Sequence, residues 1–149
     1  MTTPRHFFFY GTLRRGLGND FTRDIFSKFE FVETGTVSGR LFLMRGAIGP
    51  YPMLVPGRGR VKGDLCRMLP GFSACDLTRL DAYEDYYPDD PARSRYLREI
   101  VTVSLAPGRR VSAWRYVRNG KPPRGAPLIA SGDFAQWMHG HRDGSARPG

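Results

Sequence analysis

Residues 95–117, "RYLREIVTVSLAPGRRVSAWRYV", hold two runs of β-branched and aromatic residues on either side of Ala-Pro-Gly. Such runs suit the pleated strand, and Pro and Gly between them suit a reversal, so the stretch predicts a β-hairpin. Working outward, "HFFFY" (6–10) is a short apolar run closed by Gly11 and reads as a buried strand. "VETGTVSGRLFLM" (32–44) reads as a strand bent at Gly39, and "VKGDLCRM" (61–68) as a further strand. "GAIGPYPMLVPGRGR" (46–60) reads as turn-rich, with a short extended piece over Met53–Val55. Three short helices are predicted. The first, in "NDFTRDIFSKFEF", carries Phe21, Ile25 and Phe29 at helical spacing, with Asn19 or Asp20 as its cap. The second lies in "SACDLTRLDAYED", and the third is "SGDFAQWM", capped by Ser131 with Asp133 in its first turn. Many strands with few short helices point to an α+β fold, a curled or closed sheet flanked by helices.

Composition narrows the function classes. The chain has 149 residues, one domain's worth. With 40% hydrophobic residues it can fold on its own core, without staples. It contains no apolar run of membrane-spanning length, and the apolar patch near the N-terminus is too short for a signal-peptide core, so a cytoplasmic protein is expected. Residues 1–138 are expected to form the domain. The Gly-rich basic segment 139–149 reads as a disordered tail. Cys66 and Cys75 are too few for a disulfide framework or a metal site. His139 and His141 lack acidic or cysteine support for a metal, and His6 reads as a surface residue. Trp114 and Trp137 read as core. The net charge of +9 is spread over single and paired arginines rather than gathered in one block, which argues against a dedicated nucleic-acid surface.

Within this basic chain, "RLDAYEDYYPDD" (79–90) concentrates five of the fourteen acidic residues. Helical geometry separates them. Side chains advance about 100° per residue, so Leu77, Leu80 and Glu84 fall near one line. The leucines must face the core, and Glu84 continues their stripe into the last turn. Asp81 lies about 40° off that stripe and is the weaker inward carboxylate. Burial, the partial negative charge of the helix C-terminus, and Asp81 and Asp85 nearby would all favour the neutral form of Glu84. That would bring its proton affinity into the range useful for acid–base chemistry. A buried arginine partner would instead make it structural. Opposite it, a strand runs into Tyr10-Gly11-Thr12-Leu13, where a glycine lets backbone N–H groups approach an anion or a developing oxyanion.

Taken together, "FFYGTLRRG", "GPYPMLVPG", "VKGDLCRM", "LDAYEDYYPDD", "RSRYLREIVTV", "AWRYV" and "SGDFAQW", in that order from Phe7 to Trp137, resemble the γ-glutamylcyclotransferase-like (AIG2-like) family. The set looks closest to the γ-glutamylamine cyclotransferase branch. The resemblance implies a small barrel-like mixed sheet with helices around it and a pocket at its mouth. It also implies release of 5-oxoproline from a γ-glutamyl amide or dipeptide, with no cofactor and no metal. The family's Tyr-Gly-Ser/Thr-Leu loop matches Tyr10, Gly11, Thr12 and Leu13. Its catalytic glutamate matches Glu84, the residue that helix geometry singles out. Tyr96 and Tyr116 match pocket-lining aromatics, and Tyr51 and Pro52 would help close the pocket. Asp85 departs from the pattern, since relatives often carry glycine there. Two rival readings are a non-catalytic small-ligand binder on the same fold and a basic nucleic-acid-associated module.

Overall fold

The computed structural model of the chain describes residues 3–11, 20–46 and 49–145, with backbone only at Phe21 and 141–145. Five strands form a closed barrel: β1 (His6–Phe9), β2 (Phe29–Gly46), β3 (Gly49–Met68), β4 (Tyr96–Leu105) and β5 (Arg109–Arg118), in the spatial order β1-β3-β2-β4-β5. Three α-helices accompany them: α1 (Asp20–Phe26), α2 (Ala74–Tyr83) and α3 (Phe134–Ser145). The barrel closes where β1 runs parallel to β5, with Phe7 opposite Trp114. The fold class is the expected one, α+β with a small mixed barrel.

"HFFFY" is apolar at every position because β1 is covered on both faces. Phe8 and Tyr10 join Val37, Leu54, Val61, Leu65, Val103 and Val117 in one buried cluster that fills the barrel. Phe7 and Phe9 point the other way. They pack with Ile25 of α1, Leu80 of α2, Tyr96 and Tyr116 in a second cluster between the wall and the helices. Phe7 stacks on Phe9 at 5.4 Å between ring centres, and Phe29 meets both rings edge-on. The hairpin of residues 95–117 is present as β4 and β5, paired from Tyr96↔Arg118 to Leu105↔Arg109.

Three boundaries differ from the sequence reading. Phe29 lies at the start of β2 rather than on the first helix, which ends at Phe26. Its helical spacing from Ile25 is incidental, because the ring is buried against Phe7 and Phe9 from the strand. The segment rich in Pro and Gly over 49–60 is not a separate turn region but the first half of β3, paired with β2 as far as Gly46↔Gly49. Proline is tolerated there because β1 reaches only Asp64–Arg67 of β3, so the Pro50–Val55 half needs no ladder bonds on its far side. The expected bend at Gly39 is a register shift between Ser38 and Arg40, with Gly39 at φ 150°. Finally, α3 continues through residues 139–145, assigned above to the tail, since an established helix adds one bond per further residue. Its cap is Asp133, whose Oδ1 accepts the Gln136 N–H at 3.1 Å, while Ser131 Oγ accepts the Asp133 N–H. No helix among the described residues is long and apolar enough to cross a membrane.

The helix that carries the acidic stretch is fixed at both ends. Ser73 and Asp76 form a capping box at the start of α2. At its end Glu84 is the C-cap, and the next residue, Asp85, turns left-handed at φ 57°. This is the helix-terminating position that glycine adopts without strain, which gives a physical reason for glycine after the glutamate. Asp85→Gly and Asp85→Ala both remove the side chain, but only alanine keeps a Cβ in the left-handed region. Urea unfolding should find the alanine variant less stable than the glycine variant by about 1 kcal/mol.

Candidate functional site

β1 delivers Tyr10 to the end of the barrel beside β5. The ring is buried, and its hydroxyl donates a 2.6 Å hydrogen bond to the Tyr116 carbonyl. Gly11 follows against Pro52. A Cβ on Gly11 would lie 2.7 Å from Pro52 Cγ, so the close approach of these two segments requires glycine. Thr12 and Leu13 lie outside the described residues. The Pro52 carbonyl faces the Tyr96 hydroxyl at 3.4 Å, and the neighbouring Tyr51 hydroxyl is 3.4 Å from an Arg95 nitrogen. Tyr10, Gly11, Tyr51, Pro52 and Tyr96 therefore share one rim.

α2 brings Glu84 to that rim. Leu80 is fully buried, and the Glu84 N–H donates to its carbonyl at 3.1 Å, which sets the carboxylate at the last helical position. Burial, and then the charge of Asp81, push the Glu84 carboxyl up to about 7. The three tyrosines are held neutral. Burial raises Tyr10, Tyr96 and Tyr116, and the negative charge of Glu84 raises each further. The carboxylate is thus an electrostatic neighbour of all three hydroxyls. The Tyr87 hydroxyl is raised by Asp85, through a hydrogen bond and its charge. Asp85 itself is turned to Arg95, with 3.7 Å between Oδ2 and Nε, so the extra acid is partly neutralised outside the Glu84 environment.

Sequence reasoning underrated Asp81. It is buried more fully than Glu84 and is gripped by Arg98, with Nε to Oδ1 at 2.9 Å and Nη2 to Oδ2 at 3.3 Å. The Tyr116 hydroxyl donates to Oδ1 at 2.6 Å. The Arg98 guanidinium lies over the Trp114 ring at 4.5 Å, so Trp114 supports an ion pair as well as the packing. Arg98 is thereby committed to Asp81. The i, i+3 spacing of Asp81 and Glu84, with arginine two residues beyond Tyr96, was the available signal.

The other polar residues do not assemble a competing site. Cys66 is buried in β3 and Cys75 is exposed on α2. Among the described residues no group of three His, Cys, Asp or Glu side chains could hold a metal. His6, read as a surface residue, is half-buried at the start of β1. Arg67, Arg79, Arg93 and Arg109 each lie against a carboxylate on the surface, which weakens the case for a continuous nucleic-acid face.

Solved structures carry the same fold. An AIG2-like protein from Mus musculus matches with 24% identity over 85% of this chain and 86% of its own, at a TM-score of 0.61. The protein ytfP from Escherichia coli matches with 28% identity over 87% of this chain and 95% of its own, at a TM-score of 0.55. A structure described as a gamma-glutamyl cyclotransferase matches with 17% identity over 83% of this chain and 70% of its own, at a TM-score of 0.56. No curated protein sequence matches the chain. The family model described as "Gamma-glutamyl cyclotransferase, AIG2-like" matches residues 7–136, nearly the whole fold with its rim and its helix. The chain belongs to the gamma-glutamyl cyclotransferase, AIG2-like family.

Proposed function

We propose that the protein releases 5-oxoproline from a γ-glutamyl amide or dipeptide by intramolecular aminolysis, with Glu84 as the general acid and base. The observation that carries this reading is a carboxyl group raised to about 7 at a rim of neutral tyrosines, in a member of this family. The substrate's own α-amine is the nucleophile. Beside its own free carboxylate, the α-ammonium is a weaker acid than a chain terminus, whose pKa is about 8. A carboxylate of ordinary affinity would be a poor acceptor for that proton, whereas one near 7 is better matched.

The chemistry needs little beyond folding the substrate and moving protons between two nitrogens. Glu84, as carboxylate, takes a proton from the α-ammonium, and the free amine attacks the γ-carbonyl carbon. As the γ-carbonyl carbon–nitrogen bond breaks, Glu84 gives that proton to the leaving nitrogen, and the second proton of the ring nitrogen passes by the regenerated carboxylate to the departing amine, which leaves as an ammonium. The products are 5-oxoproline and a free amine or amino acid. Backbone N–H groups of the Gly11–Leu13 loop would hold the α-carboxylate or the developing oxyanion. Tyr10, Tyr96 and Tyr116 would shape the pocket, with their hydroxyls turned to the Tyr116 carbonyl, the Pro52 carbonyl and Asp81. Tyr51 and Pro52 would form the wall that keeps the tethered amine over the carbonyl. Residues 1–138 would suffice for this chemistry. We read the chain as nearest the γ-glutamylamine cyclotransferase branch, a reading supported by the motif set from Phe7 to Trp137.

Release of 5-oxoproline from a panel of γ-glutamyl amides and dipeptides tests the reaction. Glu84→Gln should keep the fold and lower turnover by roughly 10²–10⁴-fold. Equal activity in variant and wild type would remove Glu84 from the chemistry. No release by wild type across the panel would favour a ligand-binding member of the fold. For the active enzyme, kcat/KM should rise with pH through an inflection near 7, because the base must be ionised. Gly11→Ala should cost roughly 10–100-fold in kcat/KM by driving the rim away from Pro52.

The same group makes stability depend on pH. The folded-state pKa of Glu84 is raised from 4.5 to about 7, so ionising it costs more in the folded chain than in the unfolded one. Its contribution is therefore most favourable below 4.5 and declines as pH rises toward 7. Glu84→Gln should abolish that decline and raise stability at pH 8 by up to about 3 kcal/mol, measured by denaturant unfolding.

A further inference from the structure

Arg118 is the last residue of β5, directly opposite Tyr96 in the β4–β5 ladder. Cross-strand partners project to the same face, so its guanidinium shares the face of the Tyr96 ring. The side chain is half-buried, and its Nε is enclosed with no hydrogen-bond partner. Among the described residues no carboxylate forms an ion pair with it. Of the acids about the rim, Asp81 is held by Arg98 and Asp85 lies against Arg95, while Glu84 and Arg118 both act on the Tyr96 hydroxyl without forming an ion pair among the described residues. Arg115, the other arginine with an enclosed unpartnered Nε, differs. It donates from Nη1 to the Ser38 carbonyl and has the charge of Glu99 near it.

A half-enclosed guanidinium without an anion is costly, and the cost is relieved when an anion docks. The surroundings of the Tyr96 hydroxyl show where such an anion would sit. Glu84 and Tyr51 lie close enough to raise its proton affinity, and Arg118 and Arg95 close enough to lower it. Arg95 is tied to the rim through Tyr51 at 3.4 Å, and its backbone N–H donates to the Asp85 carbonyl at 2.9 Å. Two cations therefore flank one edge of the proposed pocket, while Glu84 occupies another part of the same neighbourhood. A planar guanidinium is matched to a carboxylate.

We propose that Arg118, with Arg95 beside it, is a carboxylate-binding element at the edge of the Glu84 pocket, and that it selects substrates bearing a carboxylate at that edge. The inference rests on the proposed γ-glutamyl reaction for the identity of the substrate. The carboxylate has two possible sources: the leaving amino acid of a γ-glutamyl dipeptide, or the α-carboxylate of the γ-glutamyl group itself.

Binding to the Glu84→Gln protein, which should hold substrate without consuming it, tests the element separately from the reaction. Calorimetric titrations would use γ-glutamyl-alanine and γ-glutamyl-ethylamide, with Arg118 intact, with Arg118→Gln and with Arg118→Lys. Weakening of γ-glutamyl-alanine alone by about tenfold or more on Arg118→Gln supports the element and assigns it to the leaving group. Weakening of both probes, with recovery in Arg118→Lys, supports it and assigns it to the α-carboxylate. Unchanged affinity for both overturns the proposal. So does weakening of both probes that lysine recovers in no part, or failure of γ-glutamyl-alanine to bind when Arg118 is intact. Turnover by wild type is measured in parallel, so that binding without 5-oxoproline release counts against the reaction and not against Arg118.

Discussion

The buried hydrogen bond from the Tyr10 hydroxyl to the Tyr116 carbonyl is the constraint on which the rim depends. Tyr10 directly follows the shortest strand of the barrel, and Tyr116 lies on the strand that closes it. A single side chain thus joins the two edges where the ladder is thinnest. It also fixes the starting direction of the Tyr-Gly segment. The Tyr116 hydroxyl meanwhile points to Asp81, so the same two residues link barrel closure to the end of α2. A buried polar chain of this kind specifies one arrangement because each member is satisfied only when the others are in place.

Electrostatics then divides the labour between two carboxylates one helical turn apart. Asp81 receives the arginine, the tyrosine hydroxyl and the indole beneath the guanidinium. Glu84 receives burial and the charge of Asp81. The contrast is a matter of which acid the cation reaches, since both belong to the same short helix. Were Arg98 to engage Glu84 instead, the carboxyl would be held ionised near neutrality.

Much of this was legible in the sequence, and the exceptions have physical causes. The hairpin of β4 and β5 and the stripe of Leu77, Leu80 and Glu84 are written in local periodicity, which the fold did not override. Phe29 was misread because aromatic residues at helical spacing look alike whether they end a helix or begin a strand. In β3 the extended piece Met53–Val55 was read as such, but Pro50–Pro52 was misread as turn because proline usually interrupts a strand, and here the ladder runs on one side only. The grip of Arg98 on Asp81 had only the Asp81–Glu84 spacing and the arginine two residues beyond Tyr96 as its signal, because it joins residues from a helix and a strand that only the barrel brings together.

The two stops on α2 have a consequence for how this chain can vary in length. The capping box holds the first turn and the left-handed residue at Asp85 holds the last, so the helix cannot absorb an added residue by fraying at either end. One insertion between Ser73 and Asp85 would turn the carboxylate through about 100° and advance it about 1.5 Å along the axis. The distance from cap to glutamate therefore works as a ruler. Lineages of this fold should be free to lengthen their outer loops while keeping that interval unchanged.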